Sequence, residues 1–87
     1  MVTTFSKTYA SHPKTIGTAR RDLEGYLRRC GCPPAARFDI CLAAAEAVAN
    51  AIEHGHVPGG EVGLEASCRG VVTITVRDEG GGMRAKT

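Results

Sequence analysis

Hydrophobic and polar positions along the chain change period twice. Residues 3 to 9 lie within "VTTFSKTYA", a β-branched and aromatic stretch with imperfect alternation, which predicts a first strand. "SHP" follows, and Ser11 or His12 is placed to lead into a helix with Pro13 in its first turn. From there to Cys30, the residues Ile16, Ala19, Leu23, Tyr26, Leu27 and Cys30 recur at threes and fours, the apolar face of an amphipathic helix. Gly31 offers a left-handed cap, and Pro33-Pro34 prevents continuation. A second helix is expected from about Ala35 to His54, with Phe38, Cys41, Leu42, Ala45, Ala49 and Ile52 as its core stripe. "GHVPGG" closes it. After that turn, "EVGLEASC" sets Val62, Leu64, Ala66 and Cys68 on one side, and "VVTITVR" does the same with Val72, Ile74 and Val76. The short link at Arg69-Gly70 makes these an antiparallel hairpin, although Arg-Gly suits a slightly longer loop as well.

A strand, two helices and a hairpin whose apolar face needs cover give an α+β fold: a two-layer sandwich with helices packed on one face of a β-sheet. Eighty-seven residues make a single domain, 1–87, with a modest core. The longest apolar run, Ile40 to Ala45, is far short of the ~20 residues of a membrane span. The N-terminus lacks the basic start and apolar middle of a signal peptide, so the expected location is the cytoplasm. Eleven Lys/Arg against nine Asp/Glu leave a formal charge of +2, too little to argue for nucleic acid. A small helix-turn-helix DNA binder is further disfavoured by the hairpin. The four cysteines fit neither a disulfide framework nor a metal site, since Cys30-Gly31-Cys32 is one residue short of a C-x-x-C chelate and Cys41 falls on a core face. Buried or incidental thiols are the expectation.

The second helix carries the chemistry. Residues four apart on a helix differ by only about 40° around its axis, so Glu46 and Asn50 are neighbours. Asp39 and Glu53 share their flank, and His54 lies one step round. Ala43, Ala44, Ala47 and Ala51 fill positions where a surface helix carries Lys and Glu, which suggests packing along much of the circumference around a narrow polar groove. Two readings follow. Either Glu46 and Asn50 simply face water, or the amide oxygen ligates a hard cation such as Mg²⁺ while the carboxylate takes a proton from an attacking hydroxyl. His54 at the helix end has a plain alternative role against the helix dipole. The last strand ends in "VRDEGGGM", where Asp78 and the glycines after it suit close approach of a flat ligand to the backbone. The alternative there is a flexible glycine tail.

In combination, "FDICLAAAEAVANAIEHGH" followed by "VTITVRDEGGGM" resembles the GHKL-type ATPases, and within them the anti-sigma factor serine kinases; "ARRDLEGYLRRCGCPP" is similar to their first helix and turn. The resemblance spans residues 5 to 83 and implies an incomplete Bergerat (histidine kinase-like ATPase) fold. It implies ATP and Mg²⁺ as cofactors, Glu46 as general base, and Asn50 as the Mg²⁺ ligand. Asp78 would accept a hydrogen bond from the adenine amino group, with Gly80 and Gly82 letting the loop pass beneath the base. It gives no firm role to His54. The implied activity transfers the ATP γ-phosphate to a serine of an antagonist protein and sequesters a sigma factor. The implied partners are therefore a sigma factor and an anti-anti-sigma protein, with two chains pairing in many relatives. Lys14, Arg20, Arg21, Arg28 and Arg29 on the first helix are either a solvated basic face or, by resemblance, part of that partner surface. Relatives continue with a lid, a second glycine-rich segment and further strands, none of which occurs in these 87 residues. The expectation is a fragment, a truncated reading frame or a domain completed by a partner, and weak turnover. A non-catalytic protein-binding module on the same fold is the alternative.

Overall fold

The computed structural model describes residues 4–55, 60–68 and 72–79. Element order is β1 (Thr4–Ala10), α1 (Thr15–Arg29), α2 (Pro34–Gly55), β2 (Glu61–Cys68) and β3 (Val72–Glu79). The strands form one antiparallel sheet in the order β1-β2-β3. Both helices cover the same face, α1 over β1 and β2, α2 over β3 and β2. This is the expected α+β two-layer sandwich. Among the described residues no helix is long and apolar enough to cross a membrane.

Register explains which strand residues meet the helices. Phe5 pairs with Ala66, Tyr9 with Val62, and Leu64 with Val76, so one parity of all three strands gathers the apolar side chains. Val62, Leu64 and Ala66 are buried there, and Val72, Ile74 and Val76 pack beside them. The other parity, Thr4, Ser6, Thr8, Glu65, Thr73, Thr75 and Arg77, faces away, and Arg77 reaches diagonally to Glu65 at 2.9 Å. Register pairs Cys68 with Val72, so the hairpin link is three residues long rather than two.

Helix α1 meets this face with Ala19, Leu23, Tyr26 and Leu27, all buried. Phe5 and Tyr26 place their ring centroids 5.5 Å apart in a tilted pair. His12 leads into the helix, its Nδ1 accepting the Lys14 N–H at 3.0 Å, but Pro13 is not in the first turn. Pro13 lies in a turn just ahead of the helix and Lys14 is the capping position, with no side-chain cap. The Thr15 hydroxyl, 2.9 Å from the carbonyl oxygens of both Ala10 and His12, secures the entry turn instead. The exit follows expectation. Gly31 adopts φ 85°, its N–H bonds to the Arg28 carbonyl at 3.0 Å, and the Cys32 N–H bonds to the Leu27 carbonyl at 3.0 Å, a Schellman arrangement. Pro34 then opens α2, where its missing N–H is no loss.

The core stripe of α2 is a correction to the sequence reading. Cys41, Ala44 and Val48 are the buried residues, whereas Phe38 is 58% and Leu42 40% exposed, and Ala45, Ala49 and Ile52 are only half-buried. The helix is apolar nearly all round, so periodicity does not choose a face. The sheet chooses it, and small residues let α2 approach the sheet closely. Of the four alanines that suggested packing around much of the helix, Ala44 is buried, Ala47 and Ala51 are half-buried and Ala43 is exposed.

Candidate functional site

Glu46 and Asn50 are both exposed on α2, as are Asp39, Glu53 and His54. Neither Glu46 nor Asn50 makes a side-chain hydrogen bond or ion pair with another described residue. Glu24 on α1 is the contrast. Glu24 accepts from Arg28 at 2.8 Å and pairs with the Arg37 Nε at 2.9 Å. Those guanidinium groups hold the Glu24 carboxyl below its ordinary range, the Arg28 hydrogen bond contributing most. Arg37 also donates to the Cys32 carbonyl at 2.8 Å, which locks the α1–α2 turn.

The topology determines what lies near the ridge. Four residues, 56–59, join the end of α2 to Gly60, which allows a span of at most about 18 Å. Gly60 itself is fastened: its carbonyl accepts the Ser11 N–H at 2.9 Å. Glu61 pairs with Ala10 on one side and Glu79 on the other, and Val62 pairs with Asp78. The C-terminal end of α2 and the Asp78 end of β3 are therefore tied to one end of the sheet. Asn50 stands about 7.5 Å of helix rise before Gly55, and Glu46 about 13.5 Å. Asp78 falls in the strand parity of Ile74 and Val76, which pack against the helices. Its side chain, and all of Gly80 and Gly82, lie outside the described residues.

A profile of the histidine kinase-like ATPase domain matches residues 9–87. The chain belongs to that family. No curated protein matches it. Membership makes the sandwich an ATP-binding domain, and the unpartnered acid and amide lie on the helix that this ATPase fold packs against its sheet.

Two concavities elsewhere are not part of that ridge. A shallow groove of about 260 Å³ on the polar sheet face is lined by hydroxyl-bearing residues such as Thr4, Ser6, Thr73 and Thr75. A cleft of about 250 Å³ between the helices is lined by Arg20, Glu24, Pro34, Arg37, Phe38 and Cys41, with the Arg20 guanidinium 5.6 Å from the Phe38 ring centroid. Sequence reasoning missed this cleft because it assigned Phe38 to the core. Cys41 reads as core and is buried; the missed signal is that Ala44 and Val48 continue from it on the same helical period.

Proposed function

We propose that this histidine kinase-like ATPase domain binds ATP with Mg²⁺ between the C-terminal half of α2 and the glycine-flanked end of β3, in the manner of an anti-sigma factor serine kinase. The observation that carries this reading is the tie between those two elements, through the 56–59 connector and the Glu61–Glu79 and Val62–Asp78 pairings. The donor set suits the metal. Asn50 presents an amide oxygen and Glu46 a carboxylate, both hard donors, exposed and uncommitted among the described residues. Asn50 would hold the ion, which when bound neutralises phosphate charge. Glu46 takes the proton of the attacking hydroxyl. Asp78 accepts from the adenine amino group, while Gly80 and Gly82 leave room for the base. The phosphoryl acceptor is a serine of an antagonist protein, and the sequestered partner is a sigma factor.

A calorimetric titration with ATP and Mg²⁺ tests this directly. Saturable binding is expected, and Asp78→Asn is expected to weaken it at least about tenfold, because a neutral amide oxygen replaces the stronger, charged carboxylate acceptor of the adenine amino group. Undiminished affinity in a folded Asp78→Asn variant contradicts the adenine role. A second reading, a protein-binding module without catalysis, draws on exposed Phe38 and Leu42. Absence of saturable nucleotide binding by the folded chain decides for it.

A further inference from the structure

The outer surface of the helix layer carries two charged rows of opposite sign. On α1, Lys14 at the capping position, Arg21 and Arg28 recur every seven residues, about two helical turns apart, and all three are exposed. On α2, Asp39, Glu46 and Glu53 repeat the same spacing and are exposed as well. Arg28 is bonded to Glu24 at 2.8 Å. The other five form no side-chain hydrogen bond or ion pair with another described residue. Between the rows lie Phe38 and Leu42, the large hydrophobic side chains left exposed among the described residues. Phe38 meets the Arg20 guanidinium at 5.6 Å, so this flank of α2 faces α1, and Leu42 stands between Phe38 and Glu46 around the helix.

The register of the helices decides what fits this face. Arg20 is beside Phe38, and Glu24 is paired with Arg37 at 2.9 Å, so α1 and α2 run antiparallel. Carried along both helices, that register sets Arg21 about level with Asp39, and Lys14 about level with Glu46. Within one chain these outward-pointing charges sit on neighbouring helices and do not pair. A second copy, related by a two-fold axis parallel to the helices, lays its α1 over α2 and its α2 over α1. Arg21 then meets Asp39 of the second copy and Lys14 meets its Glu46, each contact occurring twice, with Phe38 and Leu42 closed in the seam. Arg28 and Glu53 lie beyond the overlap. An anionic membrane or a nucleic acid suits the α1 row but is repelled by the α2 row; a second copy supplies both signs at matching spacing. We propose that this face docks a second copy of the chain as a two-fold pair, held in register by Arg21–Asp39 and Lys14–Glu46 contacts around Phe38 and Leu42.

Pairing covers Glu46. ATP with Mg²⁺ and a second copy therefore exclude each other, and the protein's own concentration limits nucleotide binding. That consequence rests on the nucleotide reading above; the pairing does not.

Exposed ion pairs are individually weak and screened by salt, so the apolar seam supplies most of the affinity and the charged rows set the register. Sedimentation velocity of the 87-residue chain is expected to show a monomer–dimer equilibrium that weakens at least about threefold when salt is raised from about 0.05 M to about 0.5 M. Arg21→Glu sets like charges at both contacts with Asp39, and Asp39→Lys does so at both contacts with Arg21. Each variant alone is expected to self-associate at least about tenfold more weakly than the parent, with unchanged circular dichroism. Mixed in equal amounts, the two restore the pairing, because each offers the charge that the other lacks. A parent chain that stays monomeric up to about 1 mM overturns the proposal. So does a dimer indifferent to salt or to both substitutions, or a mixture no more associated than its components. Calorimetry then tests the exclusion: ATP with Mg²⁺ should bind Asp39→Lys with an affinity independent of protein concentration, and the parent more weakly as that concentration rises. Saturable binding that leaves the parent dimer intact overturns the exclusion. No binding by either chain refutes the nucleotide reading, and the exclusion with it, while the pairing still stands or falls by sedimentation.

Discussion

The two helices lie side by side on one sheet and share its core, yet they are built on opposite plans. Helix α1 is strongly amphipathic: Ala19, Leu23, Tyr26 and Leu27 are buried, and its two carboxylates find partners, Asp22 in Lys7 and Tyr9 and Glu24 in Arg28 and Arg37. Helix α2 is apolar almost all round, buries only its smaller residues, and exposes Phe38, Leu42, Glu46 and Asn50. Everything polar on the inner side of α1 is explained by the fold. The exposed Phe38 at least meets the Arg20 guanidinium of α1, whereas the polar pair on α2 has no partner among the described residues. A helix that satisfies itself locally stabilises the domain; one that leaves a carboxylate and an amide uncommitted has groups available to something outside it.

The largest test of this contrast compares one leucine from each helix. Leu23 is fully buried, and Leu23→Ala is expected to cost about 2–5 kcal/mol, much of the stability of so small a domain. Leu42 is 40% exposed, and Leu42→Ala should cost less than about 1 kcal/mol. Urea unfolding of both variants measures the difference. Equal losses would mean that Leu42 packs against this domain after all, as periodicity alone suggests.

That same pair marks where sequence reasoning succeeded and where it did not. In α1, polar residues separate the apolar ones, so only one face can be the core and Leu23 is read correctly. In α2, two stripes that share Cys41 fit one period: Phe38, Cys41, Leu42, Ala45, Ala49 and Ile52, or Cys41, Ala44 and Val48. Side-chain size favours the first on hydrophobic grounds. Close approach of α2 to β2 and β3 favours the second, and that requirement is tertiary, invisible in a single segment. The hairpin was legible because alternation is unambiguous over eight residues. The Glu46–Asn50 ridge was legible for a different reason, namely that it interrupts an apolar run.

A smaller effect, but a more selective one, separates stability from binding on α2. Asn50 is exposed and unpartnered among the described residues, so Asn50→Ala should leave the urea midpoint within about 0.5 kcal/mol of the parent, alanine being the better helix former. In the proposed role the same change weakens binding of ATP with Mg²⁺ at least about tenfold, and far less when Mg²⁺ is omitted. Calorimetry with and without the metal reads both. If stability falls and metal-dependent affinity does not, the amide belongs to the fold, and the contrast between the helices narrows to Glu46.

The finest test lies on the α1 side, where polar groups are held to serve the fold. Tyr9 donates its hydroxyl to Asp22 at 2.8 Å, and Lys7 approaches the same oxygen at 3.3 Å, so β1 is tied to α1 through one carboxylate. The Tyr9 hydrogen bond is the largest cause that lowers the Asp22 carboxyl, followed by Lys7, against an opposing effect of burial. A carboxyl lowered in the folded state binds fewer protons there than in the unfolded chain. Its stabilisation is therefore complete above the unfolded carboxylate value of about 4 and is lost as pH falls through the folded one. Tyr9→Phe should cost about 0.5–1.5 kcal/mol at neutral pH. It should also flatten the loss of stability in acid, because Asp22 then has less to lose on protonation. Urea midpoints of parent and variant, measured at neutral pH and below the carboxylate range, supply the comparison. The two curves are expected to converge in acid. If they stay parallel, the ring packing of Tyr9 holds β1 to α1 and the carboxylate is incidental, and α1 would then carry a polar group as uncommitted to the fold as those on α2.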